Sequence, residues 1–118
     1  MIIKAERLKC AILTALADID LQKILNVVMY QSKSANEIAK ETDISHTTLY
    51  RKIKWLVDEK LLIVDKIIIT EEGKKSSLFR TVLKSFNVKY EYNSVIVEAE
   101  QNVDTLRKVT ERFLSLDE

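Results

Sequence analysis

The hydrophobic spacing of this chain changes character once, near Lys60, and that change limits the folds open to it. Before Lys60 the apolar residues recur every three or four positions, as on the buried face of a helix. After it they come in β-branched runs, Leu61-Leu62-Ile63-Val64 and Ile67-Ile68-Ile69-Thr70, as in strands. Helices followed by hairpins predict an α+β fold. With 118 residues, the chain is expected to form one domain, 1–118, burying roughly two-thirds of its unfolded surface.

Residues 4–17 carry Ala5, Leu8, Ile12, Ala15 and Leu16 on a narrow stripe, giving an N-terminal helix within 1–17. Asp18 or Asp20 caps a second helix with Leu21, Ile24, Leu25 and Val28 inward, ending near Tyr30. Gln31-Ser32-Lys33 reads as a loop. Ser34 with Glu37 three residues on is a capping box opening a short helix with Ile38 and Ala39 inward. Thr42-Asp43-Ile44 is the turn out of it. A longer helix runs from Ser45 to Lys60, burying Leu49, Ile53, Leu56 and Val57, with a polar opposite stripe. Glu71-Glu72-Gly73-Lys74-Lys75 turns the chain into Leu78-Phe79-Arg80-Thr81-Val82, making a hairpin with a basic tip. Val88, Tyr90 and Tyr92 alternate with charged residues before Asn93-Ser94 turns into Val95–Ala99, a second hairpin. A last helix starts near Asn102, with Val103, Leu106, Val109 or Thr110, Phe113 and Leu116 on one face.

Composition removes several function classes. One Gly and no Pro, where average usage gives about 8 and about 6, exclude Gly-rich phosphate loops. Cys10 and His46 are the only soft or imidazole ligands, too few for a metal site within one chain. The same shortage leaves no nucleophile–base constellation, so no enzyme activity and no cofactor are expected. Cys10 itself reads as a small buried apolar residue. No apolar run reaches about 18 residues and no secretory signal opens the chain, so no membrane association and a cytoplasmic location are expected.

The net charge of +1 conceals an uneven distribution. Residues 45–84 carry nine basic side chains against five acidic, whereas residues 85–118 carry four against seven. A basic centre is what a face meeting a polyanion needs. Three helices, the second and third joined by a short turn, and then a hairpin with a basic tip, make a winged helix-turn-helix. The full expectation is that core over 18–84, flanked by N- and C-terminal helices and with an additional β-hairpin in 85–118. An exposed helix of this kind fits the major groove of duplex DNA, its first residues facing base edges, while the hairpin reaches the neighbouring backbone. Away from the core, the helix from Ser45 presents His46, Thr47, Tyr50, Arg51 and Lys54 on one stripe, and every one can donate a hydrogen bond.

The stretch SANEIAKETDISHTTLYRKIKWLVDEKLLIVDKIIITEEGKKSSLFRTV resembles the ArsR-like winged-helix transcription regulators common in archaea. There a Ser-x-x-Glu-Ile/Leu-Ala helix precedes a Ser/Thr-rich recognition helix and a wing. FNVKYEYNSVIVEAE resembles the extra hairpin that follows the wing in some of them, so the likeness covers about 34–100. It implies dimeric, sequence-specific binding of double-stranded DNA. Thr47, Thr48, Tyr50 and Arg51 match the polar part of the recognition-helix pattern, and Lys74 and Lys75 match the wing tip. The closely spaced cysteines of the metal-sensing branch are absent from residues 45–60. The usual glycine after the recognition helix is replaced by Lys60-Leu61, so Lys60 or a neighbour must take a less comfortable backbone conformation.

The expected DNA-binding residues are Ser45, His46, Thr47, Thr48, Tyr50, Arg51, Lys52 and Lys54 on the recognition helix (45–60), with Lys74, Lys75 and Arg80 on the wing (66–82). Lys52, Lys54 and the wing cations supply phosphate attraction. Each has a plainer role to weigh against it. Arg51 is equally a solvated surface charge, Tyr50 a ring packed on the wing, and a charged hairpin tip an ordinary guard for an edge strand. The expected dimerisation residues are Leu8, Ile12, Leu106 and Phe113 on the terminal helices, which alternatively pack on each other within one chain. The rival function is a winged helix that serves as a protein–protein interaction module in a transcription or assembly complex.

Overall fold

The computed structural model describes residues 1–102. They form an α+β fold of four helices and two antiparallel sheets. The order is α1 (Glu6–Leu16), α2 (Ile19–Val27), β1 (Lys33–Ser34), α3 (Ala35–Thr42), α4 (His46–Asp58), β2 (Leu62–Ile69), β3 (Lys75–Thr81), β4 (Leu83–Glu91) and β5 (Ser94–Gln101). The expected terminal helix, with Leu106 and Phe113, lies outside the described residues.

The helix starts follow from local hydrogen bonding. The Asp18 carboxylate accepts the Leu21 N–H at 3.0 Å and so caps α2. Ser34 and Glu37 form the full capping box of α3, each side chain accepting the other's backbone N–H at 3.2 Å. α1 has only Ala5 in the capping position and begins at Glu6, later than its spacing predicted. The chain before it is extended. Ile3 N–H donates to the Val97 carbonyl, and Ala99 N–H donates to the Met1 carbonyl, both at 2.8 Å, so the first three residues line the edge of β5.

One apolar core joins these elements. Ile12 and Ala15 from α1, Leu21, Ile24 and Leu25 from α2, Ile38 from α3, and Leu49, Ile53 and Leu56 from α4 are all buried. Leu83, Val97 and Ala99 bring the base of the second hairpin into the same cluster. This corrects the expectation for the first helix. Ile12 is 0% exposed and belongs to the chain's own core, so it is not available to a partner, and Leu8 packs partly against that core. The buried stripe of α1 is rotated to include Ala11, which leaves Leu16 exposed. Cys10 is also exposed rather than buried.

The end of α4 shows why Lys60 must bend. Its N–H donates to the Val57 carbonyl at 3.0 Å and the Leu61 N–H to the Leu56 carbonyl at 2.9 Å, the paired bonds of a Schellman motif. Lys60 occupies the position that favours glycine and has φ 65°. Leu56 and Leu61, both buried, close the motif with an apolar contact. The turn therefore aims β2 back along the core.

β3 is the central strand of the first sheet, between β1 and β2. The expected loop at 31–33 thus gains a two-residue strand, because Lys33 and Ser34 pair with Phe79 and Leu78. β2 is one strand with an irregularity between Val64 and Lys66, rather than two separate runs, and β3 starts earlier than expected, at Lys75. At that irregularity Asp65 is buried, its carboxylate accepting the Ser32 hydroxyl. Gly73 makes the hairpin turn with φ 78°. β4 and β5 form the second sheet through a two-residue turn in which Asn93 takes φ 56°, a conformation asparagine tolerates. Asn102 ends the described chain as a buried clasp. Its side-chain amide donates to the Met29 carbonyl at 2.8 Å and to the Thr81 hydroxyl at 3.2 Å.

Candidate nucleic-acid interface

The turn from α3 to α4 decides which residues of α4 face outward. Asp43 takes a left-handed conformation, φ 59°, and Ile44 is buried, so the chain reverses tightly and drives Leu49, Ile53 and Leu56 into the core. The opposite stripe is left to solvent. His46, Thr47, Tyr50, Arg51 and Lys54 are all exposed, as is Ser45 at the start, whereas Thr48 is half-buried. His46 and Tyr50, one turn apart, stack with ring centroids 6.2 Å apart and 29° between planes.

Lys52 stands apart from this stripe. Its side chain is 13% exposed, and Nζ lies 2.9 and 2.7 Å from the two carboxylate oxygens of Asp18 and 3.5 Å from Asp20. It fastens α4 to the start of α2. The Lys52 ammonium, followed by the Leu21 N–H, holds the Asp18 carboxyl below the ordinary carboxylate range. At the C-terminal end of α4, Arg7 grips Glu59 with two bonds of 3.0 and 3.1 Å, and Glu59 is likewise held low by that guanidinium. The two pairs fix the helix at its middle and at its C-terminal end while leaving its outer stripe unencumbered.

Beside the stripe, a groove of about 450 Å³ runs between α4 and the β2–β3 hairpin. Tyr50 forms one wall, and Thr70, Lys74, Lys75 and Ser77 form the other. Lys74 and Lys75 are exposed at the hairpin tip, so the structure brings these two expected cations to the same groove as Tyr50. Arg80 is not brought there. It lies half-buried at the far end of β3, opposite Ile63. No protein-family model matches this chain, and no curated protein does.

Two residues on α3 complete the surface and escaped the sequence reading. Asn36 reaches both the groove and a second hollow of about 570 Å³, which it shares with Lys40, Asp43, Ser45 and His46 at the α3–α4 turn. Both Asn36 and Lys40 are exposed and one helical turn apart. That spacing is the available signal, and it lies on the face of α3 opposite the buried Ile38 and Ala39. Asp43 and Glu72 add negative charge to the rims. The balance remains basic, with Lys40, Arg51, Lys54, Lys74 and Lys75 on the exposed surface.

Proposed function

We propose that this protein is a winged helix-turn-helix regulator that binds double-stranded DNA in a sequence-specific manner, as a pair of copies. In this reading α4 is the recognition helix and the β2–β3 hairpin is the wing. The observation that carries it is the exposed donor stripe His46, Thr47, Tyr50, Arg51 and Lys54, flanked by Lys74 and Lys75 across a groove. A helix with donors along its first turns suits the major groove, where Arg51 is placed to meet a guanine edge and Lys54 a phosphate. The lysines at the tip meet the adjoining backbone. The sequence's resemblance to ArsR-like regulators supports the same reading.

The test is the double variant Arg51→Ala/Lys54→Ala. It leaves the core untouched and is expected to abolish specific duplex binding. Retention of specific binding by that folded variant would refute the assignment of α4. One observation favours the protein-interaction alternative: Ile67, Ile68 and Ile69 on the wing strand are exposed, Ile67 by 60% and Ile69 by 72%. Under that alternative the double variant keeps its protein partner, and isoleucine substitutions on the wing lose it.

A further inference from the structure

Among the described residues, the second hairpin has one edge covered and one open. The outer edge of β5 is occupied, since the Val97 carbonyl accepts from Ile3 and the Ala99 N–H donates to Met1. In an antiparallel ladder, directly opposed residues either both face the shared ladder or both turn their backbone groups away from it. Val97 pairs with Val88 and Ala99 with Phe86, so Val88 and Phe86 turn their N–H and C=O groups to the outer edge of β4. Tyr90, opposite Val95, follows by alternation. Among the described residues no backbone bond reaches these groups.

The same residues carry the apolar side chains. Phe86, Val88 and Tyr90 share the sheet face of the buried Val97 and Ala99, but burial fades toward the turn, and Tyr90 is 80% exposed. The devices that guard an edge are confined to the base of β4, where Lys84 lies at an irregularity between Leu83 and Ser85, and to the far face. The strand contains no proline, its pairing is regular from Ser85 to Glu91, and Lys89 sits on the opposite face.

We propose that β4 pairs with β4 of a second copy, antiparallel about Val88, joining two hairpins into one continuous sheet. This goes beyond the DNA reading and does not depend on it. The register follows from the geometry. Placing Val88 on the two-fold axis sets outward-facing residues opposite one another, Val88 to Val88 and Phe86 to Tyr90 twice, for about six backbone bonds. The aromatic pairs then form across strands on the apolar face. On the other face Asn87 meets Lys89 and Ser85 meets Glu91, so no like charges stand directly opposite. The strand is self-complementary in both hydrogen bonding and charge.

Sedimentation of the full chain, alone and as variants, tests this. The wild type is expected to sediment as a dimer. Val88→Pro removes an outward N–H and none of the bonds to β5, so it is expected to sediment as a monomer with unchanged helical circular dichroism. Tyr90→Lys, at an exposed site that a Lys leaves folded, is expected to weaken the dimer in the same way. Val88→Cys in a Cys10→Ser background should give a disulfide-linked dimer on mild oxidation, because hydrogen-bonded antiparallel partners have Cα atoms about 5.5 Å apart. Asn26→Cys in that background should not. A wild type that is monomeric at every concentration would overturn the proposal. So would a dimer that survives both substitutions and gives no Val88 cross-link, which would move pairing to another surface such as the wing strand or residues 103–118. Duplex binding by a monomeric Val88→Pro variant would support the β4 dimer surface and the α4 contact, and would contradict only the requirement that DNA is bound by a pair of copies.

Discussion

At the scale of single residues, the two lysines of α4 separate sharply. Lys54 is exposed on the outer stripe, whereas Lys52, two positions away, is turned by the helical pitch onto Asp18 and Asp20. Sequence periodicity marks both as non-core, but which non-core side chain finds a carboxylate depends on how α2 crosses α4, and no spacing encodes that. Lys52→Ala is therefore expected to lower the melting temperature and to leave the salt dependence of duplex binding unchanged. Loss of DNA affinity without loss of stability would show that Lys52 is a phosphate contact instead. The pair also sets an acid limit. Because the folded Asp18 carboxyl is held below its unfolded value, its stabilisation is complete above about pH 4 and fades as pH falls through the folded value. In Lys52→Ala the acid limb of the stability curve should flatten, as read by urea unfolding between neutral and acid pH. Asn102 is a different case, a polar side chain buried with both partners in place. Asn102→Ala strips the Met29 carbonyl and the Thr81 hydroxyl of a donor and should cost about 1–3 kcal/mol in chemical denaturation.

At the scale of elements, the parts dictated by local chemistry were legible. The capping box at Ser34 and Glu37, the Asp18 cap, the inward faces of α2, α3 and α4, and the two hairpins all follow from neighbours a few residues apart. What escaped depends on distant partners. The extended residues 1–3 exist because β5 offers them a ladder, and β1 exists because β3 does. Ile12 has the spacing of an amphipathic stripe, which does not say whether its own chain or another covers it. The exit from α4 was legible in outline, since a missing glycine demanded strain at Lys60 or beside it, and the strain is at Lys60. Lys60→Gly should remove it and raise stability by about 1 kcal/mol, less the entropy glycine adds to the unfolded chain. A fall in stability would mean that the lysine stem contributes more than its backbone costs.

At the scale of the whole molecule, the near-neutral charge is divided between surfaces. The proposed DNA face carries Arg51, Lys54, Lys74 and Lys75 together, while the strand β5 carries Glu98 and Glu100. That division was readable as a basic centre and an acidic end, but bringing Lys74 and Lys75 to a groove shared with Tyr50 required the hairpin to fold back beside α4. No described helix is long and apolar enough to cross a membrane. The most direct test of the proposed DNA reading is fluorescence anisotropy with duplexes from the protein's own upstream region and with a random duplex, at low and raised salt. The expected result is preference for one upstream duplex, with affinity falling steeply as salt rises, since several phosphates are neutralised by each pair of copies. Failure to bind any duplex at low salt, or binding indifferent to salt, would contradict it.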